Sequence, residues 1–236
     1  MPRKARHFEA NVVYHVLNRA AARQRLFRKP GDYAAFETVL EQAVARTPVR
    51  LLTYVLMPTH FHLVLWPAPG QESSISDFMR WLQLTHTQRW HAHYHSFGAG
   101  HLYQGRFKSF PVQSDGHTRI LCKYVERNPV RAKLAKLAQH WQWSALHRRL
   151  HGTPQQKAIL AAWPRGTSSS PERWLDYVNA APPADAIAPL LQSLKRDTPF
   201  GDPAWQQSAA ISHHLQHTLR PRGRPRLVRP GGESVK

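Results

Sequence analysis

Apolar positions recur with two periods along the first 130 residues, and the switches between them lay out the elements. Residues 12–17 and 51–57 are apolar runs of strand length, and a third follows from His60 to Trp66. Side chains on a strand alternate between faces. Phe61, Leu63 and Leu65 therefore point into a core, and His60 and His62 point together to the other side. Pro30-Gly31-Asp32 opens a helix with Phe36, Val39, Leu40 and Val44 at helical spacing. A second helix is predicted over 74–94, with Ile75, Phe78, Met79 and Leu82 as its buried stripe. Residues 102–110 predict a fourth strand with basic residues on one face. Asp115 is placed to cap a third helix carrying Ile120, Leu121, Tyr124 and Val125. Pro129 predicts an end or kink at Asn128. The order strand, helix, strand, strand, helix, strand, helix is that of a ferredoxin-like α+β fold, an antiparallel sheet with helices on one face.

After Trp143-Ser144 the character changes. Residues 166–171 and 180–184 are linker-like, with short helices predicted around 172–178, 186–194 and 204–219. The end, from Leu219 to Arg226, is basic and rich in proline and glycine, which suits neither helix nor central strand. This divides the chain into a folded domain over 1–150 and a partly disordered, helical and basic extension over 151–236.

Charge narrows the partner. Lys and Arg number 33 against 14 Asp and Glu, a net +19, so polyanions are attracted and counterion release supplies affinity. Nucleic acid is the favoured partner; a ribosome-associated or membrane-surface protein shares this signature. One cysteine, Cys122, excludes a disulfide framework or a cysteine-rich zinc module. No apolar run approaches a membrane span, and no apolar segment follows the basic N-terminus. A cytoplasmic location without membrane attachment is expected.

Two imidazoles facing one way begin a metal site, although a chance pair is unsurprising among 16 histidines. Tyr124 and Asn128, four apart on a helix, share a face. Tyr124 reads equally as a half-buried packing residue. A phenol is a poor nucleophile until a cation or base assists it. Beside a metal that polarises a phosphate, it becomes competent for phosphodiester chemistry. His86, His91, His93 and His95 are spread around their helix and read as surface polar residues. Trp66 and Tyr103 are candidates for stacking on bases.

The segments Tyr14-His15-Val16 with Arg19, Leu56-Met57-Pro58-Thr59-His60-Phe61-His62-Leu63, residues 100–109 and Lys123-Tyr124-Val125-Glu126-Arg127-Asn128-Pro129-Val130-Arg131-Ala132 occur in consistent order over about 8–150. In these the chain resembles the REP-associated tyrosine transposases, within the single-tyrosine HUH transposases. The resemblance implies the HUH nuclease fold, His60, His62 and Asn128 as metal ligands, and Tyr124 as the nucleophile. It implies Mg²⁺ or Mn²⁺, although imidazoles alone favour zinc. It also implies a single-stranded DNA substrate with palindromic hairpins, cleaved through a 5′-phosphotyrosine and rejoined without ATP. A monomer is favoured over a dimer. Arg19, Arg106, Lys108, Arg127 and Arg131 are the expected DNA contacts, joined by Arg222, Arg224 and Arg226 in a tail that resembles an AT-hook. The competing readings are a domesticated DNA- or RNA-binding regulator without cleavage and a metal-dependent phosphoesterase without a covalent intermediate.

Overall fold

A computed structural model describes residues 6–71, 74–114, 116–162 and 171–220. Four strands, β1 (Val13–Arg19), β2 (Val49–Met57), β3 (His60–Pro67) and β4 (Lys108–Val112), form one antiparallel sheet ordered β2-β3-β1-β4. Only Pro58 and Thr59 separate β2 from β3, so the two pair as a hairpin. β1 then lies beside β3 with Leu17 opposite His62 and Arg19 opposite His60.

Helices α1 (Pro30–Arg46) and α2 (Ser74–His93) cover one face. Phe36, Leu40, Phe78 and Leu82 meet Tyr54, Phe61, Leu63 and Leu65 there. Helix α3 (Gly116–Arg131) covers the opposite face, where Leu121 and Val125 meet Leu52, Val55, Val64 and Val112. The antiparallel α+β sheet is as expected, but its helices occupy both faces rather than one. The physical reason lies in β2, whose apolar side chains feed both cores and therefore need a layer on each side.

Short helices α4 (Ala145–His151) and α5 (Pro154–Ala158) follow, then α6 (Pro171–Asn179), α7 (Ala184–Arg196), α8 (Pro203–Ser212) and α9 (Gln216–Leu219). Trp174, Val178 and Leu190 from α6 and α7 extend the core under α3. Beyond α7, Phe200 N–H donates to the Pro111 carbonyl at 2.9 Å, and Gln113 N–H donates to the Phe200 carbonyl at 2.9 Å. The chain thus pairs with the outer edge of β4. Gly201 is required at this approach, because a Cβ there would lie 2.4 Å from the Trp205 ring and 2.6 Å from Gln113 Oε1. No helix among the described residues is long and apolar enough to cross a membrane.

Several local expectations shift. β4 begins only at Lys108, because residues before it leave the ladder: Gln104 N–H reaches the Arg19 carbonyl at 2.9 Å, and Asn18 Nδ2 reaches the Gly105 carbonyl at 3.0 Å. α3 runs two residues past Pro129, where the missing N–H costs a single bond in the final turn. Lys133, at φ 58°, follows the helix. The predicted cap Asp115 and most of the linker at 166–171 lie outside the described residues. His86 is not a surface residue. It continues the stripe of Ile75, Phe78, Met79 and Leu82, and its Nδ1 is 2.6 Å from the Tyr103 hydroxyl. His91 is also buried, whereas His93 and His95 are exposed.

One buried ion pair ties α1, β2 and α4 together. Arg148 Nε donates to Glu37 Oε1 at 3.0 Å, a second guanidinium nitrogen meets Oε2, and the Tyr54 hydroxyl donates to Oε1 at 2.6 Å. Removing one partner strands the other charge in the core. Arg148→Met should cost about 3–5 kcal/mol in urea unfolding. Adding Glu37→Leu should recover part of that loss.

His86 supplies a pH dependence. Burial lowers its pKa to about 3, against an opposing pull from Asp32, so the folded protein keeps it neutral. The unfolded chain gains a proton near pH 6.5 that the folded chain refuses. Stability therefore falls as pH drops from about 6.5 towards 3, by up to roughly 1.4 kcal/mol per pH unit. The gap in thermal midpoint between wild type and His86→Gln, measured at pH 7.5, 6 and 5, should narrow with acid.

Candidate active site

Strand alternation on β3 turns His62 to the face that α3 covers, while Phe61 enters the opposite core. The His60 and His62 rings are 5.0 Å apart, and the Tyr124 ring is 6.0 Å from His62. Each imidazole has its Nδ1 engaged. Thr59 Oγ1 is 3.0 Å from Nδ1 of His60, and Nε2 of the buried His15 is 2.8 Å from Nδ1 of His62. Nε2 on each ring is the nitrogen left for a cation.

Burial, then the charges of Arg19 and Arg131, lowers the pKa of His60 to about 4. Burial likewise holds His62 well below its ordinary value, with His15 and His60 adding to the effect. Both imidazoles are therefore neutral at neutral pH, the form that ligates metal.

Tyr124, Asn128 and Arg131 fall at i, i+4 and i+7 on α3 and share one face. Arg131 Nη2 donates to the Tyr124 hydroxyl at 2.8 Å and to Asn128 Oδ1 at 3.3 Å. Asn128 Nδ2 donates to the Tyr124 carbonyl at 3.1 Å, which orients its amide. Burial raises the phenol pKa, and the Arg131 charge and hydrogen bond oppose that rise. The donor set of two neutral imidazoles and an amide oxygen is chemically able to hold a divalent cation. Among the described residues no group of three His, Cys, Asp or Glu could do so.

The expected DNA contacts scatter. Arg19 is exposed and stands opposite His60, and Arg131, also exposed, reaches the phenol of Tyr124. Arg127 Nε reaches the Asn179 carbonyl at 3.5 Å, towards α6. Lys108 pairs with Asp197 at 3.2 Å. Arg19, Arg106 and Lys108 line a cleft of about 1130 Å³ whose far wall includes Arg196 and Arg220. Arg222, Arg224 and Arg226 lie outside the described residues. Tyr103 is no stacking platform: it is buried in the first core and bonded to His86. Trp66 has the Arg50 guanidinium over its ring at 3.4 Å.

Sequence reasoning assigned no role to His15 beyond its motif, and it missed Arg131 as the partner of Tyr124. The i+7 spacing was the available signal for Arg131. Nothing local signalled that His15 would meet His62, 47 positions away.

The sheet and site define a small α+β domain with paired strand histidines facing a helical tyrosine. Residues 9–128 match the family described as IS200-like transposases, and the chain belongs to that family. Membership implies a DNA-cleaving enzyme of the transposase type. A solved structure of a REP-associated tyrosine transposase bound to a REP hairpin is similar, with a TM-score of 0.52 at 20% identity, over 72% of this chain and 96% of that one. A transposase-like protein from Deinococcus radiodurans R1 is similar at 19% identity and a TM-score of 0.37, over 53% of this chain and 97% of that one. No curated protein matches the chain.

Arg131→Met should move the ionisation of Tyr124 to higher pH, because it removes the group opposing burial. Tyrosine labelled with ¹³C at Cζ and followed by NMR across a pH series reads this directly.

Proposed function

We propose that the chain is a metal-dependent, single-strand DNA endonuclease and strand transferase acting on hairpin-containing DNA. The observation that supports this most is the convergence of the His60–His62 pair, Asn128 and the Tyr124–Arg131 pair on one face of the sheet.

In this reading Tyr124 Oη attacks a backbone phosphorus. An O–P bond to tyrosine forms, the P–O3′ bond breaks, and the DNA leaves a 3′-hydroxyl with its 5′-phosphate on the protein. The phenol proton departs and the 3′-oxygen takes up a proton, so the linkage is conserved and reversal needs no ATP. Arg131 holds the phenol oxygen and favours its ionised form. His60, His62 and Asn128 would hold Mg²⁺ or Mn²⁺, which would supply polarisation of the phosphate and offset of its charge. Arg19 beside His60 steadies the neighbouring phosphate.

The catalytic groups all lie within 1–150, and 151–236 both supports α3 through Trp174, Val178 and Leu190 and adds DNA contact. A monomer is the working unit in this reading, with Tyr124 packed beside His62 of the same chain. The cation-lined cleft suits a polyanionic strand. The hairpin is inferred from the DNA bound by the similar solved structure.

Radiolabelled hairpin DNA, Mn²⁺ and a denaturing gel test the reading. Wild type should give a covalent adduct that EDTA abolishes. Tyr124→Phe should lose the adduct entirely and bind DNA within about twofold of wild type, since only one oxygen is removed. An adduct that persists in Tyr124→Phe would misassign the nucleophile, and cleavage persisting without any adduct would favour a phosphoesterase.

A further inference from the structure

We infer that His15 is a positioning residue that holds His62 in its metal-ligating tautomer. The inference rests on the metal-dependent reading above and extends it to a residue outside the ligand set.

The His15 and His62 rings are 1% and 3% exposed, and His15 Nε2 lies 2.8 Å from His62 Nδ1. Two neutral imidazoles in such a bond share one proton, so one ring donates and the other accepts. If His15 Nε2 donated, the remaining proton of His62 would sit on Nε2 and block the nitrogen that faces a cation. If His62 Nδ1 donates, its Nε2 keeps the lone pair. His15 then accepts at Nε2 and carries its own proton on Nδ1. Only this second arrangement makes His62 a ligand.

The packing around His15 keeps its ring in place. In the sheet His15 is opposite Val64 of β3 and Phe110 of β4, and its ring lies 4.9 Å from the Phe110 ring. β1 is thus flanked on both sides, which keeps the buried His15 ring beside His62. His60 differs. Its Nδ1 meets the Thr59 hydroxyl, which adapts to either tautomer by rotating its O–H. His15 can adapt only by moving its own proton between ring nitrogens inside the core, so the His15 and His62 tautomers are tied together.

The full chain should be titrated with Mn²⁺, reading free Mn²⁺ by electron paramagnetic resonance, for wild type, His15→Leu and His15→Gln. Loss of the acceptor in His15→Leu should weaken Mn²⁺ binding roughly 10- to 100-fold. His15→Gln keeps an acceptor in its amide oxygen and should stay within about threefold of wild type. Thermal melts report whether each variant is folded. Long-range ¹H–¹⁵N correlation on labelled, metal-free wild type reads the tautomer without any substitution, and the proton of His62 should be on Nδ1. A folded His15→Leu with wild-type Mn²⁺ affinity, or a His62 proton found on Nε2, overturns the inference alone. A wild-type chain that binds no Mn²⁺ overturns the metal reading and takes this inference with it.

Discussion

β3 is buried on both faces, and the site follows from that constraint. Phe61, Leu63 and Leu65 are fully enclosed against α1 and α2, each contributing about 1.5–3 kcal/mol of apolar burial. Their alternation obliges His62 to face α3. A slip of one residue in the β1–β3 register would turn these three side chains towards α3 and place His60 and His62 against α1 and α2. Core packing therefore fixes the face on which the imidazoles lie, and Thr59 and His15 then engage their Nδ1 atoms.

Electrostatics then tune what packing has placed. Burial and the nearby Arg19 and Arg131 keep His60 and His62 unprotonated, while Arg131 opposes the rise that burial gives the Tyr124 phenol. The Arg131 guanidinium thus acts on both the imidazoles and the phenol. It also suits an approaching phosphate, which matches the net charge of +19 over the whole chain.

The C-terminal helices are more than an appended tail. α6 and α7 complete the core beneath α3, and the chain near Phe200 closes the edge of β4. Pro182 and Ile187 stand in a small groove with Tyr124, Arg127 and Arg131, so residues outside the family match border Tyr124.

Much of this was legible in the sequence because it depends on local periods. The succession of elements along the chain, the shared side of His60 and His62, and the common helical face of Tyr124 and Asn128 each follow from local periods. The structure alone decided the long-range partners: His15 with His62, His86 with Tyr103, and Glu37 with Arg148 across 111 positions. It also decided that both faces of the sheet carry helices. Periodicity says which way a side chain points, but not which distant element the pairing register brings opposite it. That choice belongs to the whole core, because moving any one pair would disturb the burial of many others.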